Sequence, residues 1–353
     1  VMVDLKKFYK NKRVLITGHT GFKGSWLSSS LLLLGSRVYG YSLNDEKKKN
    51  YKKICEYQKI KNIYGDILDY KKLQKNILKI KPEIIFHLAA QPLVSVSYKK
   101  PYQTIQTNLI GTLNIMEICR KVPNLRALVL ITSDKCYHNI EIKRGYKESD
   151  RLGGEDPYSS SKACAEIVYH SYLNSFFNKK NNLGVATARA GNVIGGGDWS
   201  QDRIIPDCVR SIIKNKKLII RNPSSTRPWQ HVLEPLSGYL ILAMKLSKEP
   251  AKYVGSWNFG PIRNEKMRVK YIVKLLFTYL KKREFFIIKK GKFKEANLLK
   301  LNSNKSTKIL NWKSKWRMKE TIIQTALWYQ NFINKKNVKD FTKVQIRNYF
   351  GIK

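Results

Sequence analysis

The sequence predicts an α/β protein, a doubly wound parallel sheet with a smaller, interleaved substrate-binding part toward the C-terminus. Three observations predict it. Strand and helix patterns alternate through the first 130 residues, a glycine-rich turn joins the first strand to the first helix, and beyond residue 190 the pattern changes to Gly- and Pro-rich loops. Such alternation gives right-handed βαβ units whose strands pair in parallel with both faces covered.

The elements follow in order. Arg13 to Thr17 (RVLIT) is a short apolar run ending in the glycine-rich turn, and Gly24 to Leu34 is helical in pattern and stops at Gly35. Arg37 to Tyr41 reads as a second strand. The lysine-heavy segment from Asn44 to Lys61 has few turn signals and reads as an exposed helix and loop. A short strand precedes Gly65-Asp66, a helix runs near Asp69 to Ile80, and Glu83 to His87 is a strong strand. Next come a helix from about Tyr102 to Arg120, a strand from Ala127 to Ile131, a helix from Tyr158 to Phe177 and a strand near Val185 to Arg189. Later, Gly195-Gly196-Gly197, Asn222-Pro223 and Arg227-Pro228 mark loops, with Val269 to Tyr279 and Glu320 to Phe332 the clearest helices. No repeat or linker interrupts the chain. The expected division is a dinucleotide-binding part over residues 1–190, joined by a later segment near 228–258, and a mainly substrate-binding part over 191–353.

At 353 residues and 42% hydrophobic, the chain can bury a sizeable core without disulfide or metal staples, which excludes disordered, collagen-like and disulfide-framework classes. The charge is unusual: 68 Lys+Arg against 25 Asp+Glu, a net +43. That invites a polyanion-binding reading, but the distribution argues against it as the main function. From Ala127 to Leu240 there are 16 Lys+Arg against 11 Asp+Glu, and the excess lies elsewhere in short runs such as Lys47-Lys48-Lys49 and Lys71-Lys72. A solvated, compositionally biased surface is the plain reading, and it would still help attract an anionic substrate. Neither a nucleic acid nor a membrane is the expected partner. The five cysteines (Cys55, Cys119, Cys136, Cys164, Cys208) show no CxxC spacing and are odd in number, so no metal site or disulfide framework is expected. The N-terminal residues lack an apolar h-region, and the run Leu31 to Leu34 is far short of the ~20 residues a span needs. A cytoplasmic protein is the expectation.

Thr17-Gly18-His19-Thr20-Gly21-Phe22-Lys23-Gly24 follows the first strand and opens the first helix. Gly18, Gly21 and Gly24 allow a tight turn and a close backbone approach to a pyrophosphate, which then sits on the helix N-terminus beside Thr20 and Phe22. After the second strand, Tyr41-Ser42-Leu43-Asn44 offers neither an acid for the ribose nor an arginine for a 2′-phosphate; Ser42 could bond a ribose hydroxyl, and NAD is favoured. Asp66 and Ile67 stand where the adenine would lie, and Leu88, Ala89 and Ala90 are small enough to let the backbone pass the cofactor.

Tyr158 and Lys162 lie one helical turn apart and share a face. A tyrosine of ordinary pKa near 10 is a poor base at neutral pH, and a lysine ammonium plus a positive nicotinamide ring would lower that value. Thr132-Ser133-Asp134-Lys135 ends a strand, where doubly wound sheets bind ligands. Ser133 can hydrogen-bond a hydroxyl being oxidised. Asp134 and Lys135 discriminate, because hydride transfer alone needs only Tyr, Ser and Lys, whereas an added acid and base imply a second proton transfer such as an elimination.

These segments together resemble the extended short-chain dehydrogenases/reductases that act on nucleotide sugars, the NAD-dependent epimerase/dehydratase family with its Rossmann-type sheet. The resemblance is carried by TGHTGFKGSWL, FHLAAQPLV, SYKKPYQTIQTNLIGT, TSDKCY, DPYSSSK, ARAGNVIGGGDW and NPSSTRPWQHVLEPLSGY, with a weaker signal in QIRNY near the end. Where other 4,6-dehydratases of the family carry Asp-Glu, the branch acting on CDP-glucose carries Asp-Lys, as Asp134-Lys135 does here. The resemblance therefore implies a lyase that holds NAD and dehydrates CDP-glucose or a related nucleotide sugar. Tyr158 would take the proton of the 4-hydroxyl while C4 gives its hydride to NAD; a base would remove the C5 proton, Asp134 would protonate the departing 6-hydroxyl, and the hydride would return to C6. Lys135 is the expected base, if burial beside Lys162 lowers its pKa; it could instead orient Asp134 or stabilise the enolate. By the same resemblance Asn192 contacts the sugar diphosphate, Arg227 clamps a phosphate, and Asn108 faces the site from a buried helix. A homodimer or higher homo-oligomer, and a product bound for the dideoxysugars of lipopolysaccharide O-antigen, are also implied. The alternatives are another dehydratase or epimerase of this scaffold, and a polyanion-binding protein.

Overall fold

The computed structural model describes residues 2–44, 51–177, 182–261, 267–289 and 298–352. Seven strands make one parallel sheet: β1 (Arg13–Thr17), β2 (Arg37–Ser42), β3 (Lys61–Tyr64), β4 (Ile84–His87), β5 (Ala127–Ile131), β6 (Gly184–Ala190) and β7 (Gly255–Phe259). Their order is β7-β6-β5-β4-β1-β2-β3. The chain thus winds outward from β1 to β3, then crosses to the other side of β1 and winds outward again. The crevice between the C-terminal ends of β1 and β4 is the switch point where such sheets bind ligands. β4, β5 and β6 are buried along their whole length; Ile84–Phe86 and Ala127–Ile131 accordingly read as apolar runs rather than alternating ones, while Thr187 and Arg189 in β6 are paired with Glu166.

Helices cover both faces. Tyr70–Ile80, Gly111–Cys119 and Pro157–Tyr172 lie over one, with Leu73, Ile77, Ile115 and Tyr169 in its core. Phe22–Leu33, Leu233–Lys248 and the C-terminal helices Met318–Ile333 and Val338–Phe350 cover the other, around Trp26, Leu240, Trp328 and Tyr349. Small strand pairs build the second layer: Val193–Ile194 with Gln230–His231, Leu218–Ile220 with Phe286–Ile288, and Thr226–Arg227 with Met267–Arg268.

The structure departs from the sequence reading in several places, three of which bear on the core and the site. The lysine-heavy segment is not simply exposed: residues 45–50 lie outside the described residues, but Tyr51, Ile54 and Cys55 are buried and pack into the core with the C-terminal helix, while the lysines between them point outward. The helix expected from Tyr102 to Arg120 starts at Pro101 and carries a π turn over Gln106–Ile110. Leu233–Lys248, sixteen residues long, was not foreseen as a helix; it buries thirteen of them, so it has no polar face from which a helical period could be read.

Candidate active site

The phosphate turn is held by close backbone approaches. Gly18 has φ +75°, and a Cβ there would lie 2.7 Å from Ala89 N; one on Gly24 would lie 2.2 Å from Gly18 O. Gly21 caps the helix Phe22–Leu33 with no side chain, so the first N–H groups are open to an anion. His19, between these glycines, turns inward. Its ring takes the space left by the missing Cβ of Gly40, and its Nε2 pairs with Asn62 Oδ1 at 2.9 Å. Across the crevice His87 Nδ1 meets Thr17 Oγ1 at 2.7 Å and Nε2 meets Thr112 Oγ1 at 3.2 Å. Thr112 already donates its own proton to Asn108 O, so these bonds assign the His87 proton to Nε2. Burial, with Lys162 nearby, pushes His87 down to about 3; it is a neutral strut.

Gly18, Thr20, Gly21, Phe22, Gly24, Ser42, Asp66, Ile67, Leu88, Ala89 and Ala90 all line one cleft of about 1340 Å³. Thr20 donates to Ser42 Oγ at 3.2 Å. Asp66 accepts from Leu68 N at 2.9 Å, while the helix that follows is capped by Asp69 instead. The glycine cradle, the open helix N-terminus and the small residues after β4 fit a dinucleotide.

The same cleft reaches Ser133, Asp134, Lys135, Tyr158 and Lys162. The helix carrying the last two is started deliberately by its sequence: Asp156 accepts from Tyr158 N and Ser159 N, both at 3.0 Å, and Pro157 occupies the first turn. Ser133 lies beside Tyr158 and favours its phenolate, and its hydroxyl donates to Asp134 Oδ1 at 2.9 Å. Burial pushes Tyr158 up to about 12, opposed by Ser133 and aided by the Asp134 charge. The expectation of a lowered value is therefore not met by these side chains alone. Burial pushes Lys162 down to about 8, against the pull of Glu166; its ammonium donates to Ile131 O at 3.3 Å. Asp134 is buried, and that burial raises its pKa despite the Lys135 and Lys23 charges and the Ser133 bond. A carboxyl raised in this way suits an acid. Lys135 is only half-buried, so the burial invoked for its base role is incomplete.

Two cations escaped the sequence reading. Lys23, in the first turn of the helix Phe22–Leu33, lines the cleft; burial pushes it down to about 8, with Arg203 and Lys162 adding to the fall and Asp134 opposing it. Arg203 lines the cleft as well and is held by Asp198 Oδ2 at 3.1 Å. Their side-chain directions depend on how the helix and the 195–203 loop are docked. That loop is fixed by Trp26 Nε1 donating to Gly196 O at 2.9 Å and Tyr329 OH donating to Asp198 O at 2.6 Å.

Asn192 lines the cleft beside Gly191, whose added Cβ would come 3.3 Å from Asp134 Oδ2. Asn108 does not serve as a substrate contact, and the expectation is corrected: it is buried, accepts from Gln91 N at 2.8 Å and donates to Gln91 O at 3.1 Å and Ser161 Oγ at 2.8 Å. With its amide thus used up, it ties the loop after β4 to the Tyr158 helix. The Arg227 backbone lies in the strand Thr226–Arg227, and its side chain lies outside the described residues.

The profile of the GDP-mannose 4,6 dehydratase family matches residues 15–325. The chain is 45% identical to CDP-glucose 4,6-dehydratase of Salmonella typhimurium over 99% of both chains. It is 27% identical to dTDP-D-glucose 4,6-dehydratase of Homo sapiens over 93% of both. Among solved structures it is similar to an epimerase of Methanothermobacter thermautotrophicus (TM-score 0.82, 22% identity, 95% of this chain and 97% of that one). It is similar also to dTDP-glucose 4,6-dehydratase of Bacillus anthracis in complex with NAD (TM-score 0.76, 22% identity, 90% and 96%).

Proposed function

Because the chain belongs to the GDP-mannose 4,6 dehydratase family, we propose that its substrate is CDP-glucose and its product CDP-4-keto-6-deoxyglucose. It is an NAD-dependent nucleotide-sugar 4,6-dehydratase, a hydro-lyase. The cytosine base is supported by the 45% identity to the Salmonella enzyme and by the Asp134-Lys135 pair.

NAD held at the Gly18, Gly21 and Gly24 turn would supply a reversible two-electron acceptor for hydride exchange with the sugar. The protein's own groups do the rest. Gly18, Gly21 and Gly24 with the open helix N-terminus hold the pyrophosphate, and Ser42 and Asp66 face the adenosine end. Ser133 and Tyr158 hold the sugar 4-hydroxyl, and Tyr158 takes its proton, with Lys162 and the cofactor's charge offsetting the burial that disfavours a phenolate. Asp134 gives its proton to the departing 6-hydroxyl. Lys135 removes the C5 proton, and a proton is returned to C5 once the hydride has reached C6. Asn192, Arg203 and Arg227 are assigned to the substrate's diphosphate. The observation that carries the elimination is Asp134, a buried acid of raised pKa in hydrogen-bond contact with Ser133; an epimerase would have no use for it.

We take residues 1–190 with the 228–258 segment as the cofactor-binding part and the rest as the nucleotide-sugar part. The working form is a homodimer, supported by Ile167 on the catalytic helix and Tyr102 and Ile110 on the helix before it, which leave 56%, 75% and 41% of their surface exposed. A cytoplasmic location is supported by the absence, among the described residues, of any helix long and apolar enough to cross a membrane.

The test is incubation with CDP-glucose and NAD, scored by the alkali-induced absorbance of a 4-keto-6-deoxy sugar, with UDP-, GDP- and dTDP-glucose alongside. Product from CDP-glucose alone is expected; product from another nucleotide alone refutes the base assignment. Lys135→Ala should abolish exchange of the C5 proton with solvent, and normal exchange would remove Lys135 from that role.

A further inference from the structure

Glu166 and Arg189 form an ion pair with both side chains fully buried. The guanidinium grips the carboxylate at both oxygens, Nε to Oε1 at 2.9 Å and Nη2 to Oε2 at 2.7 Å. Three hydroxyls donate to the same carboxylate: Thr132 at 2.5 Å, Thr187 at 2.8 Å and Ser256 at 3.0 Å. A buried pair of this kind is weak evidence for stability, since its desolvation offsets much of its attraction. Its connections are more informative than its strength.

Tyr158, Lys162 and Glu166 stand on successive turns of one helix, all buried. Lys162 donates to the carbonyl of Ile131 and Glu166 accepts from the hydroxyl of Thr132, so neighbouring turns grip neighbouring residues at the end of β5. From β6, Arg189 Nη1 donates to Tyr137 OH at 2.7 Å. The segment 131–137 is therefore pinned at both ends by this network. Ser133, Asp134 and Lys135 lie between the pins.

Resting on the dehydratase reading above, we propose that the Glu166–Arg189 pair is a positioning device for proton transfer, holding the Ser133–Lys135 segment in register with Tyr158 and Lys162. Neither residue touches substrate; both act through Thr132, Tyr137 and the charge of Lys162. The groups facing Lys162 are Glu166 and Cys136, with His87 and Lys23 also close enough to interact. Those around the pair are Lys162, His170, Glu148, Lys305, Cys136, Tyr137 and Tyr169.

The pair's role is separated from plain architecture by two hydroxyls bonded to the same carboxylate. Thr132→Val and Thr187→Val each remove one bond to Glu166, but only Thr132 adjoins Ser133. Thr132→Val is expected to lower kcat about 10–100-fold with KM within about twofold, as a small misplacement of reacting groups does, and Thr132→Ser to restore it. Thr187→Val is expected to leave kcat within about twofold while losing comparable thermal stability. Glu166→Gln removes the negative neighbour that keeps Lys162 charged, so the alkaline limb of the kcat profile should move to lower pH.

Equal kcat effects from the two valine variants would overturn the proposal, as would failure of Thr132→Ser to restore rate. A Glu166→Gln profile superimposable on the parent's would overturn the electrostatic part; should that variant not fold, the threonine comparison decides. A parent enzyme inactive on every nucleotide sugar would overturn the dehydratase reading and this one with it, an outcome distinct from an active parent with unaffected variants.

Discussion

Replacing Lys23 by methionine should make the ligand-free protein more stable and the enzyme worse. Lys23 falls from 10.5 to about 8, chiefly through burial. A drop of that size costs the folded state roughly 3 kcal/mol at ~1.4 kcal/mol per pKa unit, and about 2 kcal/mol after allowing for its open side to the cleft. Since the folded pKa lies below the unfolded one, the unfolded chain binds the proton more tightly. The cost is full below pH about 8, shrinks as pH rises toward 10.5 and vanishes above it. Methionine follows the same path through the cleft without a charge. Urea unfolding of the two proteins at a series of pH values is the assay. Lys23→Met should gain about 2 kcal/mol at neutral pH with an unchanged slope, and the gap should close toward pH 10.5. A variant no more stable than the parent at pH 7, or a gap that persists at high pH, would refute the reasoning. Activity should fall, because the cation near Asp134 is lost.

Gly18→Ala places a Cβ 2.7 Å from Ala89 N on a residue with φ +75°; it should weaken NAD binding by about tenfold or more and cost roughly 2–4 kcal/mol of stability, read by calorimetry and thermal melts. Asp134→Asn has no proton to give to the 6-hydroxyl, so product formation should slow about 10²–10⁴-fold while C4 oxidation persists, seen as near-ultraviolet absorbance of reduced NAD accumulating with CDP-glucose. Full turnover by that variant would remove Asp134 from the elimination. Ile167→Arg charges an exposed apolar position and, on the proposed homodimer, should halve the mass seen by light scattering; an unchanged mass would refute a dimer contact through this residue.

Much of the sheet was legible because strands buried on both faces have apolar centres, and Val14–Ile16, Ile84–Phe86 and Ala127–Ile131 are such runs. The Leu233–Lys248 helix was opaque for the same physical reason, since burial on all sides erases the period that would identify it. At the site, Tyr158 and Lys162 could be paired from spacing alone, because one helical turn is a local geometry. Asn108 could not be judged locally. A polar residue on a buried helix can face a ligand or a neighbouring backbone, and here the Gln91 and Ser161 bonds decide for the backbone. Lys23 belongs to a motif whose glycines announce themselves, yet its direction into the cleft depends on where β5 brings Asp134.

The two populations of cation in this chain differ in kind. Lys71, Lys72, Lys281 and Lys282 are exposed, where each interacts mainly with water and salt, and their number contributes to the +43 without shaping the site. Lys23, Lys162 and Arg203 face one cleft in which Asp134 is buried and its pKa is raised by that burial. Two of these cations sit at about 8, a value that burial alone would drive down and that an anionic ligand would drive back up. A dinucleotide and a nucleotide sugar each bring a diphosphate, so each would draw the lysines toward their charged forms as it binds. A protonated Lys162 is what favours the Tyr158 phenolate, and the proton-transfer group is therefore readied by the same ligands it acts on.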